Sequence, residues 1–191
     1  MIRRAMQVKA LLAMGILVGF GSVSTLAAWT GSATATANLG TATVSLATGK
    51  SAAEATTSEY VVPVSATNWY PGSSHAAMVA VKNTSTISVP YKIEGEVVET
   101  GSGALGNALK VVVKTGSSVV GTAPNATCSG SAAIFTKVAG SAFPAGVQRA
   151  NLSPGAAETI CVEYSLPLTA ANSLQGNTTS VKLKFTATVG N

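Results

Sequence analysis

Two stretches of this chain alternate so regularly that they leave the backbone little choice. In Val89-Pro-Tyr-Lys-Ile-Glu-Gly-Glu-Val97, the apolar set Val89, Tyr91, Ile93 and Val97 is interleaved with Lys92, Glu94 and Glu96. In Val181-Lys-Leu-Lys-Phe-Thr-Ala-Thr-Val189, Lys182, Lys184, Thr186 and Thr188 again point away from the apolar positions. Successive side chains of a strand face opposite sides, so both segments are expected to be strands with one face buried and one wet.

The same reading extends along the chain. Strands are expected at Ala42–Leu46, Glu59–Val64, Ala76–Lys82, Leu109–Lys114, Ala132–Val138 and Thr159–Leu166, separated by Gly, Pro, Ser and Asn clusters. Pro71-Gly72 and Pro154-Gly155 each precede an apolar strand. Proline presets φ and glycine accepts a positive φ, so each pair reads as a corner feeding that strand. No segment carries a long amphipathic helical period, although Thr169–Leu174 and Ser51–Thr56 suit short turns. The pattern describes an all-β, two-sheet antiparallel sandwich, jelly-roll or immunoglobulin-like, with a closed barrel satisfying the same signals.

The N-terminal end has a different character. Arg3, Arg4 and Lys9 precede the apolar run Ala10–Phe20 and the small, polar stretch Gly21–Ala28. Basic, apolar and small residues in that order are what a secretory signal peptide requires. An apolar core of about 11 residues is shorter than the roughly 20 needed to span a bilayer, so no permanent membrane anchor is expected. The division is therefore a signal-peptide helix within 1–27 and a single sandwich domain over 28–191. Cleavage between Ala27 and Ala28 would leave nine basic against seven acidic groups, reducing the formal charge from +5 to +2. The charge argument for a nucleic-acid partner then disappears.

Composition limits the chemistry. All seven acidic residues are Glu, and there is one His and two Cys. Without Asp there is no Asp nucleophile and no Asp to orient a catalytic His. One His is too few for a typical zinc site. His75, just after a turn, is expected to be a solvated loop residue, and no cofactor, metal or enzymatic activity is expected. Cys128 and Cys161, both in the exported part, are expected to form a disulfide, as an even count in an oxidising compartment suggests. Leu166-Pro-Leu-Thr-Ala170 echoes a sortase signal but lacks the following apolar stretch and basic tail, so it reads as a strand end. Asn83, Asn125 and Asn177 stand in glycosylation sequons, a match common in Ser/Thr-rich chains.

Three segments together carry a resemblance. They are Thr25–Leu46, with its Ala27-Ala28-Trp29 step followed by Leu39-Gly-Thr41; the Tyr70-Pro-Gly72 corner leading through Ala76–Lys82 to Asn83; and Cys161–Pro167 with Ala171–Gly176 and Val181–Ala187. The chain resembles the TasA and camelysin group of exported proteins, the last segment looking like its actinobacterial branch. Gly31 departs from the acidic or amide residue that members often carry after the aromatic step. The resemblance implies a secreted sandwich, cleaved by a SipW-type signal peptidase. It further implies a homo-polymeric or paralogue-containing cell-surface or biofilm-matrix fibre, assembled by lending an N-terminal strand. The camelysin branch is classed with metallopeptidases, an activity this inventory of residues does not suit.

The residues permit the strand-lending reading independently. Between Ala10 and Gly49 there is no charged side chain. Trp29, Leu39, Val44 and Leu46 mark an uncharged 29–46 segment suited to pairing through its backbone with another subunit. The same pattern also suits the first strand of the chain's own sandwich. A competing expectation is a monomeric adhesion or ligand-binding module using Trp69 and Tyr70 as an aromatic patch.

Overall fold

The computed structural model describes residues 2–21, 40–58, 60, 69–99, 104–130 and 133–189. The chain divides into two compact units, Met1–Gly40 and Thr41–Asn191. The first contains helix α1 (Ile2–Gly21), whose early turns carry Arg3, Arg4 and Lys9. No helix among the described residues is long and apolar enough to cross a membrane.

The second unit is an antiparallel β-sandwich. Its strands are β1 (Leu46–Gly49), β2 (Ser74–Asn83), β3 (Val89–Glu99), β4 (Lys110–Thr115), β5 (Val119–Val120), β6 (Thr127–Cys128), β7 (Ala133–Lys137), β8 (Val147–Leu152), β9 (Ala157–Ser165) and β10 (Thr179–Ala187). A short helix α2 (Leu105–Ala108) precedes β4. The larger sheet has five strands in the order β1-β2-β9-β4-β7, the smaller has three in the order β10-β3-β8, and β5-β6 is a separate hairpin. The two strongly alternating segments pair with each other. Phe185 lies opposite Ile93, and Val181 opposite Val97.

Period two decides what enters the core. Val79 and Val81 of β2, Ile160 and Val162 of β9, Val111 and Val113 of β4, and Tyr91 and Ile93 of β3 share one buried cluster. Each such aliphatic side chain contributes about 1.5–3 kcal/mol through removal from water. Gly95 continues the inward row of β3 because Phe143 packs there: an added Cβ would lie 2.2 Å from its ring. Phe143 in turn meets Phe135 edge-on, with ring centroids 5.9 Å apart.

Three polar arrangements tie the layers together. The Tyr91 hydroxyl donates to Glu158 Oε2 at 2.6 Å, and the Arg149 guanidinium pairs with the same carboxylate, joining β3 and β8 to β9 across the sandwich. Burial opposes ionisation of Glu158, but Arg149 and Tyr91 outweigh it and hold the carboxyl below its ordinary range. Lys137, almost wholly buried, donates its amine to Asn107 O at 2.9 Å and Leu109 O at 2.8 Å, capping the end of α2. Asn83, fully buried at the end of β2, holds three segments. Its Nδ2 donates to Ile87 O at 2.8 Å and Leu152 O at 2.7 Å, while its Oδ1 accepts from Ser85 N at 2.8 Å.

The expected strands at Ala76–Lys82, Val89–Val97, Leu109–Lys114, Ala132–Val138, Thr159–Leu166 and Val181–Val189 correspond to β2, β3, β4, β7, β9 and β10 within a few residues. The Pro-Gly corners feed β2 and β9, with φ of +93° at Gly72 and +76° at Gly155. The strand expected at Ala42–Leu46 is displaced. Regular pairing begins at Leu46, opposite Asn83. Thr43 and Ser45 continue along the bend at 84–86, through Thr84 N to Ser45 O at 3.1 Å and Thr86 N to Thr43 O at 3.3 Å. The bend leaves the ladder without its regular geometry beyond Asn83. The expected Glu59–Val64 strand lies outside the described residues apart from Tyr60.

Candidate functional site

The sandwich carries a cleft of about 870 Å³ whose lining includes β1 and β10, terminal strands of the two sheets. Its floor comes from inward positions: Leu46 on β1, Val79 on β2, Tyr164 on β9, and Val181, Leu183 and Phe185 on β10. Tyr60, Trp69, Leu105 and Leu109 complete the apolar wall. The inward side chains of β10 are only half-buried, whereas Tyr91 and Ile93 of its partner β3 are fully covered. Apolar surface on β10 is thus prepared for a core but left partly wet.

The two edges differ. β1 is bridged on its outer side by Thr57: Thr48 N donates to Thr57 O at 2.6 Å, and the two side chains each donate to the other's carbonyl at 3.3 Å. β10 pairs only with β3 among the described residues. An edge strand presents backbone donors and acceptors that another strand can use. Lys182 and Lys184 stand on its outer face, directly opposite Glu96 and Glu94. The Lys92 ammonium, 2.7 Å from Glu94 Oε1, holds that carboxyl below its ordinary range. The cleft mouth therefore has a mixed-charge margin around an apolar interior.

His75 is not the solvated loop residue expected from its place after a turn. It lies on β2, 5% exposed, opposite Tyr164 of β9. Its ring stacks on Trp69 with centroids 4.4 Å apart and planes inclined by 22°. Alternation explains the burial, because His75 shares an inward row with Ala77, Val79 and Val81. Trp69 packs against both apolar clusters of the sandwich, so it faces inward while Tyr70 remains 50% exposed. The two aromatics therefore do not form one surface patch.

Cys128 and Cys161 form the expected disulfide. Cys161 lies on β9 between core residues Ile160 and Val162, so its side chain leaves the opposite face of the sheet. The disulfide fastens the β5-β6 hairpin over that face. Cys128 N donates to Glu163 Oε2 at 2.9 Å, and Lys114 Nζ donates to Cys128 O at 2.9 Å. Such a bond belongs to chains that fold in an oxidising compartment.

Of the remaining residues singled out in the sequence, Ala27, Ala28, Trp29 and Leu39 lie outside the described residues. Val44 is 40% exposed beside the 84–86 bend, and Leu46 lines the cleft. Asn83 is consumed by its internal hydrogen bonds, whereas Asn125 is exposed. Leu166, at the start of the sortase-like echo, is buried immediately after β9. Among the described residues, no group of three or more His, Cys, Asp or Glu side chains could hold a metal ion.

No protein-family model matches this chain, and no curated protein matches it. Fold and cross-links define a disulfide-stapled, all-β sandwich with an apolar cleft at one flank.

Proposed function

We propose that the chain is a secreted structural protein, a subunit of a cell-surface or matrix fibre in which the N-terminal strand of one copy enters the cleft of the next. The observation that carries this reading is the half-covered inward face of β10 above an apolar cleft. A strand laid along β10 would extend the smaller sheet through backbone hydrogen bonds, while its alternate side chains would fill the cleft. The uncharged stretch that precedes the chain's own contacts at Thr43, Ser45 and Leu46 has the composition for this task, because it brings no charged side chain against the apolar floor of the cleft. The resemblance to the TasA and camelysin group supports the same reading. It also supports export with cleavage after Ala27 by a SipW-type peptidase and assembly with identical or paralogous subunits. The adhesion alternative is less well supported, because Trp69 faces inward on His75 and leaves Tyr70 without its expected companion.

Deleting residues 28–41 tests the assignment. Thr43 and Ser45, with their contacts to the 84–86 bend, remain in the deletion variant. The variant is expected to stay folded by circular dichroism and to form no fibres under the electron microscope. Fibres of unchanged abundance would remove strand lending.

A further inference from the structure

Trp69 in the cleft wall is stacked on the buried His75. Trp69 lines the cleft directly, whereas His75 lies behind it at the start of β2. Tyr164, opposite His75 on β9, is also a cleft residue. One imidazole is therefore in contact with one cleft residue and in register with another.

Among the described residues, nothing facing it would hold a second proton on the ring. The titratable side chain facing it from β9 is the phenol of Tyr164, which burial pushes up to about 12 and keeps neutral. Trp69 faces it from the preceding loop and carries no charge. From β4, the residue in register with Tyr164 is Val111. Among the described residues, no carboxylate or cation contributes to the shift of His75; burial alone pushes its imidazole down. Protonation would place a cation in this buried site, with only partial compensation from attraction to the Trp69 ring.

We propose that His75 and Trp69 form a proton-operated latch: protonating His75 draws it toward water, releases Trp69 from the cleft wall and opens the cleft to an incoming strand. The proposal rests on the strand-accepting reading of the cleft. The direction follows from linkage. An open state with a hydrated His75 takes up a proton near the ordinary histidine value of about 6.5. The closed state resists until lower pH, so acidification below that value favours opening, by up to about tenfold per pH unit until the closed state also titrates. Glu158 does not produce this response, since Arg149 and Tyr91 hold its carboxyl below the ordinary carboxylate range.

The chain has one histidine and two tryptophans, which makes the test direct. In a full-length Trp29→Phe background, fluorescence reports Trp69 alone. Between about pH 7.5 and about pH 5 its emission is expected to shift to the red, and His75→Phe, which keeps an aromatic surface against Trp69, is expected to abolish the shift. Emission that does not change with pH, or that titrates equally in His75→Phe, would overturn the latch. Proton NMR of the single imidazole provides a measurement without a variant in the latch: a midpoint below about 6.5 supports the proposal, and one at or above it overturns it. Fibre yield is the separate arm. Faster assembly at the acidic pH, lost in His75→Phe, supports coupling of the latch to assembly, while equal pH dependence in both chains contradicts that coupling. Absence of fibres at every pH, with the Trp69 titration intact, would refute the strand-accepting reading and leave the local proton response standing.

Discussion

Replacing Asn83 with Ala is expected to destabilise the sandwich by about 3–5 kcal/mol, among the largest losses available to a single substitution in this chain. The size follows from what is left behind. Truncation strands the Ile87 and Leu152 carbonyls and the Ser85 amide, all previously satisfied by one fully buried side chain. It also opens a cavity where the end of β2, the bend leading to β3 and the end of β8 meet. The melting temperature is expected to fall by about 10 °C, at roughly 2–4 °C per kcal/mol for a domain of this size. Asn83→Asp should not rescue the fold, because its carboxylate retains an acceptor for Ser85 but turns an acceptor toward two carbonyls. Thermal unfolding of the two variants against the parent checks both statements. A loss below about 1 kcal/mol for Asn83→Ala would place the residue among ordinary surface polar groups.

Removing the disulfide is the second large effect. Replacing Cys128 and Cys161 together by Ala is expected to cost about 3–4 kcal/mol, from the conformational freedom returned to an unfolded loop of roughly this length. Denaturation midpoints with and without the pair measure it, and the slope of free energy against denaturant shows whether the unfolded state expands. The hairpin should loosen before the sandwich does. Once the bond is gone, the hairpin is held to the larger sheet by hydrogen bonds, those of Cys128 with Glu163 and Lys114 and the backbone pair of Ser74 with Pro124 and Ala126. Proteolysis between Val119 and Cys128 should therefore accelerate more than cleavage elsewhere.

How much was legible in the sequence depended on how local each signal was. β3 and β10 could be read because each has a wet face rich in charged or hydroxyl side chains opposite an apolar one. β8 escaped notice: Val147-Gln-Arg-Ala-Asn-Leu152 is an edge strand with large apolar side chains only at its two ends, so period two has little to act upon. The hairpin strands β5 and β6 have two residues each, too short for any period to register. The burial of Lys137 has no local signal either, because it depends on two carbonyls, of Asn107 and Leu109 at the end of α2, that accept from its amine. His75 was misread for a related reason. The Ser73-Ser74 step before it suggested a loop, while the inward row it begins becomes visible only when β2 is followed through Ala77, Val79 and Val81.

The cleft is non-local. Leu46, Trp69 and Leu183 come from widely separated parts of the sequence, and no motif brings them together. Periodicity could show that β10 has an apolar face, but not that this face would be half-covered. That follows from sheet order, which places β10 at the end of a three-stranded sheet. The uncharged character of the N-terminal segment was legible. Its proposed acceptor required the fold.

Backbone hydrogen exchange across β10 tests the strand-accepting account most directly. Monomer and assembled material should be compared at the same pH and temperature, with peptides covering Thr179–Ala187 read against those covering β3 and β9. The account predicts that the β10 amides not directed toward β3 exchange markedly more slowly after assembly, while the interior strands change little. Assembly with unchanged exchange throughout Thr179–Ala187 would contradict it.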